Sequence, residues 1–152
     1  ENIANAYRRH YIYDNPVPAP LFSGVNDLLD ELNHQGYILA ISTGKSRSHL
    51  KQSIEEHDVA RHFATIRCAG ENRSKPHPEM LHEILGELNF SADEALMIGD
   101  SKHDLEMANN ASMQCIGVTN GVHGADKLKK HNPLICLSHI TELSDYLNHN
   151  QT

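Results

Sequence analysis

Apolar positions along the chain alternate between a helical spacing and short continuous runs. Val25, Leu28, Leu29 and Leu32 fall at i, i+3, i+4 and i+7, which predicts an amphipathic helix that ends at Gly36. The next run, YILAIS, is continuously apolar and predicts a buried parallel strand. Further helices are predicted at 46–56, around 81–88, around 105–111 and after a Ser138 cap, and further strands at 64–68, 95–98, 114–118 and 134–137.

Strands that alternate with helices of this length predict an α/β fold with an open, mainly parallel sheet and right-handed crossovers. The first residues, ENIANAYRRHYI, have a helical pattern and run into DNPVPAP, whose three prolines cannot continue a helix. We therefore predict the remnant of a separate helix at 1–13, a hinge linker at 14–20 and a core domain at 21–152.

Composition narrows the classes of function. The chain has 152 residues, enough for one domain, and its net charge of −7 argues against a nucleic-acid partner. No apolar run approaches the roughly 20 residues needed to cross a bilayer, and no secretory pattern is present. Three widely spaced cysteines without CxxC spacing predict reduced thiols and a cytoplasmic location. The 12 histidines include no HxxxH or HExxH pair, which favours a scattered, solvated set.

Polar residues follow three of the predicted strands. Because ligands bind outside the carboxyl ends of parallel strands, these residues should meet at one edge of the sheet. They are Thr43-Gly44-Lys45 after YILAIS, Ser74-Lys75-Pro76-His77-Pro78 after the next strand, and Gly99-Asp100-Ser101-Lys102-His103-Asp104 after ALMI. A hydroxyl and backbone N–H groups can bind phosphate oxygens, a lysine can neutralise a phosphoryl group, and carboxylates favour Mg²⁺. The combination predicts a phosphate site beside a hard cation.

Each of these residues also has a structural interpretation. Thr43 alone is typical of a helix-capping hydroxyl, and Lys75 alone of a solvated surface lysine. Asp100 could cap the next helix, and Asp104 could be a first-turn acid favoured by the helix dipole. Their order along the chain and their shared edge favour the functional interpretation.

The strings ISTGK, SKPHPEM and LMIGDSKHD, followed by a helix and IGVTNG, resemble motifs two, three and four of the haloacid dehalogenase (HAD) superfamily. The likeness is to subfamily IA, its phosphoglycolate phosphatase-like branch, within a bacterial group, and it covers roughly residues 20–147. It implies a Rossmann-like three-layer α/β/α core and a Mg²⁺-dependent phosphatase.

The resemblance also implies roles for individual residues. Thr43, with the Gly44 amide, would bind the transferring phosphoryl group, and Lys75 would steady the nucleophile and the phosphoryl charge. Asp100 would be a Mg²⁺ ligand, Asp104 a second metal-site acid acting directly or through water, and Ser101 a supporting hydroxyl. Thr43 and Lys75 are thus the expected catalytic residues.

The family's first motif, DxDxT, is absent from the sequence. Its first Asp would be the nucleophile and its second the general acid and base. Asp14 follows HYIY, but Asn15-Pro16 come next, and the position fits the linker better. Because a helical cap is normally inserted after this motif, we expect motif one and most of the cap to lie upstream of Glu1. The motif-one strand would lie between the strands that lead to Thr43 and Asp100, so its absence should leave two unpaired edges.

Two main hypotheses follow. The parent protein is a Mg²⁺-dependent phosphomonoesterase acting on a small phosphorylated metabolite, phosphoglycolate by default, without a nucleic-acid or membrane partner. Alternatively, these residues are a non-catalytic fragment that holds phosphate and metal, completed by a missing N-terminal segment or a second chain. A receiver-like signalling domain shares the parallel sheet and the acidic Mg²⁺ site, but the KPHPE string argues against it.

Overall fold

The computed structural model describes residues 21 and 23–150, so the cap helix and hinge linker predicted for 1–13 and 14–20 lie outside the described residues. The helices are α1 (Val25–His34), α2 (Arg47–His57), α3 (Glu79–Leu88), α4 (Lys102–Asn110), α5 (Ala125–Leu128) and α6 (Leu143–His149). The strands are β1 (Leu39–Ser42), β2 (Phe63–Arg67), β3 (Leu96–Gly99), β4 (Gln114–Val118) and β5 (Cys136–Leu137). Single 3₁₀ turns lie at Ala60–His62, Ala92–Glu94, Lys129–His131 and Ile140–Glu142.

The strands form two parallel sheets, one with the order β1-β2 and the other with the order β3-β4-β5. The register brings the carboxyl ends of neighbouring strands level, with Ser42 beside Arg67 and Gly99 beside Gly117. The predicted α/β fold with parallel pairing is therefore confirmed. All the loops that carry the candidate polar residues leave from the same ends of their strands.

Helices cover both faces of the larger sheet. On β4, Cys115 points to one face and packs with Leu81 of α3 and Leu105 of α4. Its neighbour Ile116 points to the other face and packs with Leu28 of α1 and Leu143 of α6. Alternate side chains of one strand thus enter two different apolar layers, as the two-residue period of a strand requires. The result is three layers, helix, sheet and helix.

An apolar groove with a volume of about 570 Å³ separates the two sheets. It is lined by both β1 and β3, and within the described residues each of these strands pairs on one side only. Ile38 is 55% exposed and Phe90 is 41% exposed, and both lie in its wall. YILAIS and 95–98 are strands with parallel partners, as predicted, but the prediction that they are buried is wrong. β1 and most of β3 are only partly buried, because each has one edge on this groove. By contrast, β4 is paired on both sides and is buried beyond its first residue.

Two other predictions need correction. The last helix is not capped by Ser138: His139 accepts a hydrogen bond from the Thr141 amide at the start of a 3₁₀ turn that leads into α6. The strand predicted at 134–137 begins only at Cys136. Among the helices of the described residues, none is both long enough and apolar enough to span a membrane.

Candidate active site

Three strand ends meet around the Lys75 ammonium group. Its Nζ donates to Asp104 Oδ1 at 2.5 Å and to the backbone carbonyl of Ser42, the last residue of β1, at 3.0 Å. The Lys75 side chain is 17% exposed and that of Asp104 is 10% exposed. A charge pair this far from solvent is only weakly screened. The loop after β2, the end of β1 and the first turn of α4 are therefore held together by one cation.

Asp104 is fixed by the first turn of α4. Ser101 is the N-cap residue, and its Oγ accepts from the Asp104 amide at 3.3 Å. Asp104 Oδ2 in turn accepts from the Ser101 amide at 3.2 Å and from Ser101 Oγ at 3.0 Å, which completes a capping box. Gly99 makes room for this carboxylate, since a Cβ at Gly99 would lie 2.3 Å from the Cβ of Asp104. One Asp104 oxygen thus caps the helix while the other binds Lys75.

The loop that carries Lys75 is also held to the far end of α4. Asn110, the last residue of α4, donates from Nδ2 to the carbonyl of Pro76 at 3.0 Å. Within the loop, the Arg73 amide donates to Glu79 Oε2 at 2.5 Å. Lys75 is therefore placed by contacts at both ends of α4, although the two segments are about 30 residues apart in sequence.

Asp100 lies directly after β3, and the loop after β4 packs against it. Val122 donates from its amide to Asp100 Oδ2 at 3.1 Å. Oδ1 accepts no hydrogen bond from the described part of the chain. A Cβ at Gly121 would lie 2.1 Å from Asp100 Oδ2, so the loop backbone lies against the carboxylate. Asp100 therefore has one oxygen held and one available to a ligand.

The donors near this edge suit a hard cation. Carboxylate and hydroxyl oxygens from Asp100, Asp104 and Ser101 are the ligand type that Mg²⁺ prefers, and Mg²⁺ takes only one or two protein carboxylates. Within residues 21 and 23–150, no group of three or more His, Cys, Asp or Glu side chains is placed to hold a metal. The available oxygen of Asp100 is the natural starting point of such a site, with Asp104 restricted by its bonds to Lys75 and Ser101.

Thr43 and Gly44 continue the chain from Ser42, whose carbonyl binds Lys75. The Thr43 amide donates to the Arg67 carbonyl at 3.0 Å, which extends the β1–β2 ladder by one residue. Its Oγ1 accepts from the Lys45 amide at 3.1 Å, while Gly44 is exposed and a Cβ there would meet nothing within 4 Å. The turn thus presents backbone and hydroxyl to solvent at the edge where Lys75 lies.

Arg47 has a structural task instead. Its guanidinium pairs with both carboxylate oxygens of Glu71 and donates to the Ile66 carbonyl at 3.2 Å. The hydrogen bond from Arg47 lowers the pKa of Glu71, and the same contact raises the pKa of Arg47. Glu71 also accepts a hydrogen bond from the backbone amide of Cys68. Burial raises the pKa of the Cys68 thiol. This pair fixes the start of the loop that leads to Lys75.

The sequence interpretation missed the contacts of Val122, His123 and Asn110. The Val122 amide donates to Asp100 Oδ2, and the His123 amide donates to the Asp100 carbonyl. Both amides belong to a loop that follows a different strand, so no spacing in the sequence reveals these contacts. The final glycine of IGVTNG, Gly121, was the sequence feature that could have indicated these contacts. A glycine is needed where the backbone of one loop lies directly against a side chain of another.

Comparison with known proteins adds to this geometry. The model of the family described as haloacid dehalogenase-like hydrolase matches residues 1–118. The protein of Dickeya dadantii named Probable phosphatase IndB is 36% identical over 128 residues, which are 84% of this chain and 56% of that protein. A phosphoglycolate phosphatase of Vibrio parahaemolyticus is 30% identical over 125 residues, 81% of this chain and 54% of that protein.

The fold is likewise similar to solved structures. The crystal structure of a predicted phosphoglycolate phosphatase from Haemophilus somnus superposes with a TM-score of 0.84 at 22% identity, over 93% of this chain and 64% of that one. The chain spans about half the length of the curated relatives that it matches. With a family model matching most of its residues, the chain belongs to the haloacid dehalogenase-like hydrolases.

Proposed function

We propose that the natural protein is a Mg²⁺-dependent phosphomonoesterase that acts on a small phosphorylated metabolite. The observation that carries this proposal is the Lys75 ammonium held between Asp104 and the end of β1. Phosphoryl transfer needs mainly positioning and charge stabilisation, so a cation held by two contacts beside the exposed Thr43-Gly44 turn suits the reaction.

In this proposal Thr43 Oγ1 and the Gly44 amide bind the phosphoryl oxygens, and Lys75 offsets their charge. Asp100 would hold the metal through its available oxygen, and Asp104 would support the metal directly or through water while keeping Lys75 in place. When bound, Mg²⁺ would neutralise phosphoryl charge as a Lewis acid. The described residues themselves orient the phosphate and fix the two charged groups beside it.

We propose further that a β-strand from outside the described residues fills the groove between β1 and β3. Both walls are apolar strands, and each has one edge without a strand partner in the described part of the chain. The end of β1 and the first turn of the helix that follows β3 both bind the Lys75 ammonium, so the carboxyl ends of the two strands lie at the same site. A parallel strand placed there would pair with both edges and cover Ile38 and Phe90. Its carboxyl end would emerge beside Lys75, where the expected nucleophilic aspartate is required.

The substrate class follows from the relatives only at a coarse level. Phosphoglycolate is the default substrate in the proposal, because a relative of 30% identity is named for it. In this proposal the cap, which would lie outside the described residues, selects among phosphorylated metabolites. We also propose a cytoplasmic location, which fits three free cysteines, two of them buried.

The phosphatase proposal is tested by assaying the natural protein on p-nitrophenyl phosphate with and without Mg²⁺. Lys75→Ala should lower kcat/KM by about 10²–10³, the cost of removing one charge-stabilising group. Lys51→Ala is the matched control, because Lys51 lies on the exposed face of α2 in a loose pair with Glu55. Hydrolysis that is independent of Mg²⁺, or equal activity in the two variants, would refute the proposal.

The strand proposal is tested by hydrogen exchange on the natural protein. The backbone amides of β1 and β3 that face the groove should be protected as strongly as those of β4. Fast exchange at these edges, with β4 protected, would show that no strand fills the groove, and would favour the alternative of a non-catalytic binding fragment.

A further inference from the structure

The loop after β4 holds the turn that joins β3 to α4. The part of this loop that makes the contacts is residues 121–123. Its three residues make separate contacts: Gly121 lies against the Asp100 side chain, the Val122 amide donates to Asp100 Oδ2 at 3.1 Å, and the His123 amide donates to the Asp100 carbonyl at 3.0 Å. One short segment therefore makes hydrogen bonds to both the backbone carbonyl and the carboxylate of Asp100.

The His123 side chain adds a fourth contact. Its Nδ1 accepts a hydrogen bond from the Lys102 amide at 3.0 Å. Lys102 is the first residue of α4, and the first amides of a helix have no partner within the helix. Because an acceptor nitrogen carries no proton, this contact selects the tautomer with the proton on Nε2. The imidazole thus accepts the hydrogen bond of an N-terminal amide of α4 that would otherwise bind water or an anion.

His123 is therefore hydrogen-bonded to both chain neighbours of Ser101. Its amide donates to the Asp100 carbonyl, and its ring accepts from the Lys102 amide. We propose that His123 is a positioning residue that holds the Asp100 carboxylate and so sets the affinity of the metal site. This inference rests on the function proposed above. Oδ2 is held by the Val122 amide and the Asp100 backbone by the His123 amide, so Oδ1 is presented in one orientation. The ring contact ties residue 123 to the first turn of α4 through Lys102, and without it these two amides would be free to shift relative to Asp100.

Outer contacts of this kind that orient a metal ligand contribute about 10–100-fold to metal affinity or activity. A purely structural anchor would instead lower stability without a selective effect on metal. The two roles therefore separate when metal affinity and stability are measured on the same variants.

The experiment is a titration of the natural protein with Mn²⁺, followed by electron paramagnetic resonance of the free ion, in the absence of substrate. His123→Ala should weaken Mn²⁺ binding about 10–100-fold. His123→Asn should bind almost as tightly as the wild type, because its amide oxygen can take the place of Nδ1 as the acceptor from Lys102. The unfolding midpoints of these two variants without metal should agree.

His34→Ala is the control. Its ring also makes one local bond, from Nδ1 to the Asp30 carbonyl at 2.9 Å, but on α1. Mn²⁺ affinity in His123→Ala equal to that of the wild type, or His123→Asn as weak as His123→Ala, would overturn the role of His123. Either of these results, together with a wild type that binds Mn²⁺ and hydrolyses a phosphomonoester, would refute this inference and leave the proposed function standing. Absence of Mn²⁺ binding in the wild type would refute both the role of His123 and the proposed metal-dependent function.

Discussion

Replacement of Gly99 by alanine tests the packing of the site with one methyl group. Gly99 ends β3 and is buried, and a Cβ there would lie 2.3 Å from Asp104 Cβ and 2.9 Å from Asp104 Oδ2. Ordinary contact begins at 3.4 Å, so the Asp104 side chain must move by about 1 Å. The neighbouring atoms are the first turn of α4 and not the end of a flexible chain, which makes relaxation costly.

The expected magnitudes follow from the contacts of Asp104. Inserting one methyl group into a packed site typically costs about 1–3 kcal/mol of stability. Complete loss of the partly buried pair with Lys75 would cost about 3–5 kcal/mol, which sets an upper bound. A displacement of about 1 Å in a catalytic arrangement can lower the rate by about 10²-fold. We therefore expect Gly99→Ala to lose about 1–3 kcal/mol of stability and about 10²-fold in kcat/KM.

Urea unfolding and phosphatase assays on the natural protein measure both effects. Gly86→Ala is the control, because Gly86 lies within α3 and a Cβ there would meet nothing within 4 Å. That variant should gain about 0.5–1 kcal/mol from improved helix propensity and keep full activity. Wild-type stability and activity in Gly99→Ala would refute the packing argument, and so would equal losses in the two variants.

Three further outcomes are expected. Ser101→Ala should lower the free energy of unfolding by about 1 kcal/mol, measured by urea denaturation, because α4 loses its cap; an unchanged midpoint would contradict this. The hydrogen bond from Thr65 lowers the pKa of Glu87, so its stabilising contribution is present above the unfolded pKa and is lost as pH falls through the folded one. Glu87→Gln should therefore flatten the acid limb of stability against pH, and an identical limb would count against it. A thiol reagent should modify Cys136 before Cys68, which is 0% exposed, as peptide mapping of partly labelled protein would show, whereas labelling of Cys68 first would contradict the burial.

The arrangement of strands and helices could be predicted from sequence because each period matches its burial. The helical spacing of Leu28 and Leu32 predicted α1, and 114–118 was predicted with the bounds that β4 has. The short helix α5 escaped detection, since four residues are too few to show a period. The half-exposed state of β1 could not be predicted from its own apolar run, because it depends on which neighbour lies across the groove.

The candidate site could be predicted in its residues but not in their division of labour. The order of Thr43, Lys75, Asp100 and Asp104 along alternating strands predicted a shared edge. That Asp104 would bind Lys75 with one oxygen and cap α4 with the other depends on side-chain rotamers, which spacing does not encode. The roles of these residues in phosphate and metal binding stay predictions.

The open edges of β1 and β3 also bear on how the polypeptide behaves before it is fully folded. Apolar strands whose edges have no partner in the described part of the chain are a template onto which another extended chain can add. Whenever the groove is empty, in synthesis or after local opening, Ile38 and Phe90 are exposed beside those edges. We therefore expect intermolecular strand addition at this groove to be a route of aggregation, which the strand proposed to fill the groove would block by covering both edges.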